Sequence, residues 1–221
     1  MIKYGGKKGK RMLVFGPSQS GKTWYTTQLF FDMPKEIKKK TQIVVISPTA
    51  MMQERYIKLG SEFTVRFLPQ ASPKTSAAVN KIVKAYQRVR RRKNLFIVID
   101  DQGENTFLTH AKKDNFFNYL QITAPHMGTN LIVQFQKVSH APKVYRVNAE
   151  KIILFKVNSD SDKKIIREDF IPGITREELS TLWRLVFQKP YDYLEITRTS
   201  TEPILKRNGK EKINLTTMLE F

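Results

Sequence analysis

The chain has 221 residues, 40% of them hydrophobic, which suffices for the core of one large domain with or without a small appendage. It contains no cysteine, so disulfide bonds and thiolate metal sites are excluded. Lysine and arginine number 39 against 20 aspartates and glutamates, a formal net charge of +19 at pH 7. A field of this sign attracts polyanions and favours nucleic acid or anionic lipid as a partner.

The beginning of the chain predicts a strand, a loop and a helix in close succession. Residues 1–10 are predicted to form a flexible basic leader, and Arg11–Phe15 is a short apolar run typical of a buried strand. A loop at 16–21 follows, then a helix over Lys22–Phe31 and a solvated connector at 35–40. A loop that leads from a strand into a helix presents free backbone N–H groups to anions.

The middle of the chain alternates further strands with helices. Runs of β-branched and other apolar residues predict strands at 42–46, 63–68, 95–99, 130–135 and 151–157. Helical spacing of apolar residues predicts helices at 76–93 and 115–122. This order predicts an α/β fold, with a mainly parallel sheet flanked by helices that forms a core over 11–160.

Towards the C-terminus the predicted elements become smaller. Helices are predicted at 160–169 and 175–186, and a half-exposed strand at 191–199. The Asn-Gly pair within 204–213 is typical of a hairpin turn. We expect residues 161–221 to form an appendage of helices and a hairpin that packs on the core.

The candidate phosphate site is the octapeptide Gly-Pro-Ser-Gln-Ser-Gly-Lys-Thr, which matches the Walker A pattern G-x-x-x-x-G-K-S/T at every position. Glycine lets backbone N–H groups turn towards phosphate oxygens, and the following helix adds its positive N-terminal end. Lys22 is then predicted to reach the β- and γ-phosphates of ATP, and the Thr23 hydroxyl to bind Mg²⁺. The residues predicted to bind the nucleotide are Gly16, Pro17, Ser18, Gln19, Ser20, Gly21, Lys22 and Thr23.

Two consecutive carboxylates, Asp100 and Asp101, end the apolar run 95–99 in the manner of a Walker B motif. A buried strand of this kind delivers a carboxylate to magnesium, and Asp100 is predicted to bind Mg²⁺ directly or through water. Asp101 is predicted to polarise the attacking water as a general base, with a helix cap or an indirect role as the alternative. Glu104 is the alternative base, because a loop could fold it back towards the γ-phosphate.

A polar side chain is also expected where the strand 130–135 ends. We nominate Gln136 to hydrogen-bond the γ-phosphate or the attacking water. Gln134 is its rival, because alternation along a strand leaves the facing side open. A strand-end amide that bonds to the backbone is the simpler interpretation of either residue.

The order of these motifs resembles the additional-strand P-loop ATPases, and within them the FtsK–HerA superfamily. It is most similar to the small genome-packaging ATPases of large double-stranded DNA viruses, virophages and related mobile elements. Many members carry Asp-Glu where this chain has Asp-Asp. The resemblance rests on the Walker A octapeptide, Ile-Ser-Pro-Thr at 46–49, Asp100-Asp101, Val-Gln-Phe-Gln-Lys-Val-Ser-His-Ala-Pro at 133–142, Arg-Val-Asn-Ala at 146–149 and the strand at 152–157.

The resemblance implies a RecA-like core, Gln136 as the sensor glutamine, and a homo-oligomeric ring, pentamer or hexamer, around double-stranded DNA. Such enzymes complete the active site with an arginine from the next subunit, and Arg146 is the candidate for this role. A helix-end arginine paired with a nearby carboxylate is the alternative. The implied function is an ATP-driven motor that packages a viral genome into a preformed capsid, with capsid vertex or portal proteins as further partners.

Basic residues gather in four clusters, at 7–11, 35–40, 88–93 and 206–212. In a ring, such clusters are expected to contact DNA phosphates without reading sequence. No apolar run is long enough to cross a bilayer, so we expect no membrane contact. The expected location is soluble and intracellular, in the host cytoplasm, at the viral assembly site or in the virion.

Two other functions fit parts of the same sequence. A small-molecule P-loop kinase has a similar length but usually needs an arginine-rich lid, and the basic run 88–93 suits a helical surface better. A nucleic-acid-binding protein that uses its phosphate loop only as a nucleotide switch is disfavoured by intact Lys22, Thr23 and Asp100. Aromatic residues such as Trp24 are expected in the core and not as platforms for stacked bases.

Overall fold

The computed structural model describes residues 8–88, 94–102, 105–109 and 115–215. The predicted alternative base Glu104 and the basic run 89–93 lie outside these described residues. Within them the chain forms two compact units. The first unit comprises the described residues of Met1–Arg11 and Thr23–Gln134, and the second comprises those of Met12–Lys22 and Phe135–Phe221.

Strands and helices alternate along the described chain. The strands are β1 Arg11–Phe15, β2 Thr41–Ile46, β3 Thr64–Leu68, β4 Asn94–Ile99, β5 Thr129–Phe135, β6 Lys151–Phe155, β7 Tyr193–Thr197, β8 Ile204–Arg207 and β9 Glu211–Ile213. The helices are α1 Lys22–Phe31, α2 Lys35–Lys38, α3 Glu54–Glu62, α4 Pro73–Gln87, α5 Thr106–Thr109, α6 Phe116–Met127, α7 Lys143–Asn148, α8 Asp160–Ile165 and α9 Arg176–Val186. A 3₁₀ turn at Ala50–Met52 and a π turn at Ile166–Phe170 complete them.

The first unit contains the parallel strands β3, β2, β4 and β5, which lie side by side in that order. Pairing places Ile43 opposite Phe96 and Ile97 opposite Leu131, so apolar side chains line up across the strands. Residues 95–99 of β4 are each no more than 3% exposed. A strand this deeply buried is covered on both faces, as its continuous apolar run predicts.

Capping residues set the ends of the longer helices of the first unit. The Ser72 side chain accepts a hydrogen bond from the first turn of α4, and Pro73 occupies a position that needs no donor. Asn115 caps α6 in the same way, and Gly128 ends that helix with a left-handed φ of +65°. These caps determine where both helices begin and where α6 ends.

The second unit combines parallel and antiparallel pairing. Strand β1 pairs in parallel with β6, and β7, β8 and β9 continue from β6 in antiparallel order. Asn208 and Gly209 join β8 to β9 with φ values of +51° and +69°, the left-handed backbone of a tight hairpin turn. The predicted hairpin is therefore confirmed. Helix α9 begins with a capping box formed by Thr175 and Glu178, as predicted.

Three predicted elements differ from the structure. The predicted connector at 35–40 contains the short helix α2. The helix predicted from 76 begins at Pro73, because the serine cap and the proline that follows it precede the apolar pattern. The helix predicted over 160–169 changes from α to π hydrogen bonding at Ile166, where Ile171 N–H donates to the Ile166 carbonyl at 3.0 Å.

Three further short helices were not predicted, and one tryptophan was placed wrongly. Helix α5 has only four residues, and the other two bury few side chains: Tyr56 and Leu59 in α3, and Tyr145 in α7. Trp24 is 55% exposed and not in the core. The Arg55 guanidinium lies 5.3 Å from the centre of its ring, so a cation covers one face of the indole.

Candidate functional site

The loop between β1 and α1 is shaped by a hydrogen bond to β5 and by bonds within its own backbone. Gly16 N–H donates to the Phe135 carbonyl at 3.2 Å, and Ser20 N–H donates to the Pro17 carbonyl at 3.3 Å. A Cβ atom on Gly16 would lie 2.5 Å from Ser20 Oγ, and Gly21 adopts a φ of +102°. Side chains are therefore excluded at both glycines, and the loop geometry requires the two glycines of the Walker A pattern.

The Lys22 ammonium is held at the backbone of this loop. Its Nζ atom donates to the carbonyl oxygens of Gly16 at 2.6 Å and Pro17 at 2.8 Å. A phosphate oxygen carries more negative charge than a carbonyl oxygen and is the stronger acceptor for an ammonium group. The arrangement therefore suits an exchange of carbonyl partners for phosphate, which is the role predicted for Lys22.

Asp100 follows β4 and is 2% exposed. Its Oδ2 atom accepts hydrogen bonds from the Thr23 hydroxyl at 3.0 Å and from the Tyr56 hydroxyl at 2.6 Å. The structure thus brings together the two residues predicted to hold Mg²⁺, Thr23 and Asp100. Oxygen ligands are what Mg²⁺ prefers, and it usually takes one or two from protein and the rest from water and phosphate. The pair therefore fits this ion.

Tyr56 is a site residue that the sequence analysis missed. The side chain is fully buried, and burial first and the Asp100 carboxylate second raise the pKa of Tyr56 well above its ordinary value. The hydroxyl therefore stays protonated and donates to Asp100, while it accepts a hydrogen bond from Gln134 Nε2 at 3.2 Å. A chain of hydrogen bonds from β5 through α3 fixes the carboxylate at the end of β4. A lone tyrosine in an amphipathic helix carries no pattern that predicts this contact.

Asp101 has a left-handed backbone, with a φ of +50°. A non-glycine residue in this region costs about 1–3 kcal/mol, and such strain concentrates at functional sites. The Thr49 hydroxyl donates to Asp101 Oδ2 at 2.7 Å and accepts a hydrogen bond from Gln53 Nε2 at 2.8 Å. Thr49 ends the Ile-Ser-Pro-Thr stretch, so this part of the resemblance has a structural role: it orients the second carboxylate.

Gln102 ties the end of β4 to its surroundings. Its Nε2 atom donates to the carbonyl oxygens of Ile46 at 3.0 Å and Asp100 at 2.8 Å. Its Oε1 atom accepts a hydrogen bond from Ala71 N–H at 2.7 Å. Gln102 therefore holds the backbone that carries both aspartates. The position of Glu104 relative to them lies outside the described residues.

The two candidate glutamines have different environments. Gln134 is 3% exposed and bonds to Tyr56, so it belongs to the hydrogen-bond network of Asp100. Gln136 follows β5 directly and is exposed. An exposed amide at a strand end is accessible to a ligand, and the sensor role of Gln136 stays a prediction.

Arg146 lies in the last turn of α7 and takes part in an ion pair within the second unit. Its Nε atom donates to Asp169 Oδ2 at 2.7 Å, and Nη1 donates to the Ala141 carbonyl at 2.8 Å. The two charged side chains are only 16% and 18% exposed. The structure thus contains the arrangement named as the alternative, and a role towards a neighbouring subunit requires this pair to open.

The described parts of the basic clusters are partly neutralised. Lys38 pairs with Glu62 at 2.7 Å, and Arg207 pairs with Asp192 at 3.0 Å. In the cluster at 7–11 only residues 8–11 are described. Along the described stretches of the chain, no helix combines the length and the apolar character needed to cross a bilayer.

Similar proteins come from poxviruses. A family model described as Poxvirus A32 protein matches residues 6–186 of this chain. The proteins named DNA packaging protein OPG160 from variola virus and from vaccinia virus (strain Copenhagen) are each 22% identical to it over 178 residues. The match covers 78% of this chain and 62% of each relative, so the chain spans less than two thirds of their length.

Solved structures of similar fold come from viruses of Sulfolobus. The genome packaging NTPase B204 from Sulfolobus turreted icosahedral virus 2, in complex with ATP-gammaS, has a TM-score of 0.63 at 17% identity, over 89% of this chain and 96% of that chain. B204, the DNA-packaging ATPase from Sulfolobus turreted icosahedral virus, has a TM-score of 0.65 at 16% identity, over 91% and 97%. These likenesses confirm the predicted fold, a mainly parallel sheet with flanking helices of the P-loop ATPase type.

Proposed function

This chain belongs to the Poxvirus A32 protein family, and we propose that it hydrolyses ATP to move double-stranded DNA into a preformed viral capsid. The observation that carries the proposal is the contact between Thr23, the last residue of a complete Walker A pattern, and Asp100, which follows β4. The names of the poxvirus relatives and of B204 support the same function. The relatives are longer than this chain, and the proposal concerns the part that this chain shares with them.

The phosphate loop and the first carboxylate divide the binding of Mg-ATP. Backbone N–H groups of the loop and the Lys22 ammonium bind the phosphates, and Lys22 gives up its carbonyl partners to do so. The Thr23 hydroxyl and the Asp100 carboxylate hold Mg²⁺, which neutralises negative charge on the phosphates when it is bound. Tyr56 keeps Asp100 in place, because its hydroxyl stays protonated and donates to the carboxylate.

Hydrolysis uses the second carboxylate as the general base. Asp101 accepts a proton from water as the water oxygen forms a bond to the γ-phosphorus, and the bond to the bridging oxygen breaks to release ADP and inorganic phosphate. Thr49 orients the carboxylate through one of its oxygens, Oδ2. Gln136 hydrogen-bonds the γ-phosphate or the water, and Glu104 is the alternative base.

A homo-oligomeric ring, pentamer or hexamer, places subunits around double-stranded DNA. Arg146 of one subunit then neutralises charge on the γ-phosphate bound by its neighbour, after it has left Asp169. A basic leader at 1–10, an ATPase core at 11–160 and an appendage at 161–221 are the domains we propose. The ring works in the host cytoplasm or at the viral assembly site, together with capsid vertex or portal proteins.

The test of the proposed function is ATP hydrolysis measured with and without long double-stranded DNA. We expect DNA to raise the turnover, since a motor couples hydrolysis to its track. A Thr23→Ala preparation serves as the control for contaminating ATPases. Turnover that responds to a small phosphate acceptor, and not to DNA, would indicate a kinase. Nucleotide binding without turnover would indicate a switch.

The arginine is tested by mixing two inactive variants. Arg146→Ala and Lys22→Ala are each expected to lose turnover while they remain folded. Mixed rings contain some interfaces with an intact Lys22 on one side and an intact Arg146 on the other, so partial recovery of turnover is expected. No recovery, despite confirmed co-assembly, would assign Arg146 to its ion pair with Asp169.

A further inference from the structure

A cationic cavity of about 360 Å³ lies in the second unit, between α8, the π turn and α9. Four basic side chains line it, against one acidic side chain, Asp160, among the described residues. None of the four belongs to the basic clusters predicted from the sequence, because they come from two helices that are separate in the chain. They are Lys163, Lys164, Arg167 and Arg176.

Among the described residues, the carboxylates that pair with the two lysines of the cavity are distant. Lys163 lies 3.9 Å from Asp160, and Lys164 lies 3.9 Å from Glu168, the outer limit of an ion pair. The Arg167 Nε atom is buried and makes no hydrogen bond to the described residues. A buried donor without an acceptor is costly, so this atom favours a ligand that carries acceptor oxygens.

One wall of the cavity is formed by Trp183, which is held on two sides. Trp183 is 8% exposed, and its indole N–H donates to the Val157 carbonyl at 3.0 Å. The ring also packs edge-on against Phe187, with centroids 4.9 Å apart. These contacts fix the position of this side chain, so binding a ligand against it costs little further side-chain entropy.

We propose that this cavity binds a phosphate group of the DNA backbone, an inference that rests on the proposed movement of DNA. Arg167 and Arg176 supply planar, fork-shaped donors that match phosphate oxygens, and Lys163 adds a point charge. A contact of this kind holds the duplex without reading its sequence, as a motor that moves along any DNA requires. A free nucleotide presents the same phosphate chemistry, so the experiment has to separate the two sources.

The test compares two variants that lose the same charge. The cavity variant combines Lys163→Gln, Arg167→Gln and Arg176→Gln. The control combines Lys74→Gln, Lys81→Gln and Lys84→Gln, three exposed lysines of α4. Binding of a short fluorescent duplex is measured by anisotropy, without nucleotide, at several salt concentrations between about 50 and 200 mM.

The cavity variant is expected to bind the duplex at least about tenfold more weakly than the control does. Its affinity should also depend less steeply on salt, because fewer phosphate contacts release fewer counterions on binding. Equal weakening in the two variants would overturn the proposal, since it would reflect net charge alone. Unfolding temperatures of both variants check that the fold is retained.

A second arm identifies the source of the phosphate. ATP and inorganic phosphate are titrated into Lys22→Ala protein, with and without the cavity substitutions. Binding that requires the cavity, together with unchanged duplex affinity, would assign the site to a free nucleotide and overturn the DNA proposal. Polyglutamate is titrated in the same way. If the cavity substitutions abolish its binding but leave duplex affinity unchanged, the site binds an acidic peptide and the DNA proposal is overturned.

The two proposals fail in different ways. Basal ATP hydrolysis is expected to be unchanged in the cavity variant, because none of its residues takes part in the nucleotide site. A chain that binds DNA through the cavity but does not hydrolyse ATP would refute the proposed function alone. A chain that hydrolyses ATP while both variants bind DNA equally would refute the cavity proposal alone.

Discussion

The phosphate loop differs from the carboxylate edge, which consists of Asp100, Asp101 and Gln102, in how far away along the chain its hydrogen-bond partners lie. The loop is held mainly by local bonds, such as those from Lys22 to carbonyl oxygens five and six residues before it, beside one distant bond from Gly16 N–H to the Phe135 carbonyl. The edge is held by side chains 77, 52 and 44 residues away in the chain, which belong to Thr23, Thr49 and Tyr56. The loop is thus specified mostly by its own sequence, whereas the edge forms only when the first unit has folded.

The largest expected effect concerns the loop. Lys22→Ala should reduce the turnover of ATP by about 100- to 1000-fold, because it removes a cation from the position where negative charge develops. The hydrogen bonds of the Lys22 side chain are to nearby residues of the loop, so the substitution should change the free energy of unfolding by less than about 0.5 kcal/mol. Turnover and urea unfolding of the same preparation measure both. A large loss of stability would contradict the view that the loop is a local structure.

The next effect concerns the base at the carboxylate edge. Asp101→Asn should slow turnover by about 100-fold, because the amide cannot accept the proton. Asparagine tolerates the left-handed backbone of this position, so folding and nucleotide binding should be retained. Single-turnover hydrolysis and equilibrium binding of a fluorescent ATP analogue separate the two steps. Turnover at the rate of the unmodified chain would transfer the role of the base to Glu104.

The two fully buried tyrosines provide a matched pair for the edge. Tyr56→Phe removes a donor from the buried Asp100 carboxylate and should lower the free energy of unfolding by about 1–3 kcal/mol. The Tyr145 hydroxyl is buried without a hydrogen bond to the described residues, so Tyr145→Phe should be neutral within about 0.5 kcal/mol. Urea unfolding of both variants tests the difference. If Tyr56→Phe is no less stable than Tyr145→Phe, the bond to Asp100 contributes nothing measurable, because phenylalanine keeps the ring packing at both positions.

The smallest expected effect is a decrease in the free energy of unfolding at alkaline pH, caused by Tyr193. Burial first and the Glu195 carboxylate second raise the pKa of Tyr193 to about 12, above its ordinary value of 10. The unfolded chain therefore loses this proton before the folded chain does, and stability falls as pH rises from about 10 to 12. Tyr193→Phe removes the titrating group, so the free energy of unfolding should fall less between about pH 10 and 12 in this variant. An unchanged slope in the variant would contradict the assignment.

The sequence predicts the local parts of the site far better than the tertiary ones. The glycines, Lys22 and the apolar strand before Asp100 follow from pattern alone, because each depends on neighbours in the chain. Tyr56 and Thr49 were not predicted as contacts of the aspartates, because no spacing relates them to residues that lie far away in the sequence. The cationic cavity escaped prediction for the same reason, since two separate helices supply its charges.

The solvent exposure of individual side chains could not be predicted from residue type either. Trp24 was predicted in the core on its residue type, but the structure places it on an exposed face of α1 beside Arg55. Large apolar side chains are not always buried, and a neighbouring cation makes an exposed indole less costly. The start of α4 was misplaced because apolar periodicity does not detect a cap.

The carboxylate edge also determines how the chain can tolerate change by mutation. Thr23, Thr49 and Gln102 each make bonds that hold this edge of the fold, and the same bonds orient groups assigned to chemistry. A substitution at any of them therefore alters folding and turnover together. In a mutational scan, abundance and activity should fall in parallel at these positions, whereas at Lys22 activity alone should fall. The edge therefore tolerates few neutral substitutions, whereas exposed positions such as Lys74, Lys81 and Lys84 of α4 tolerate many.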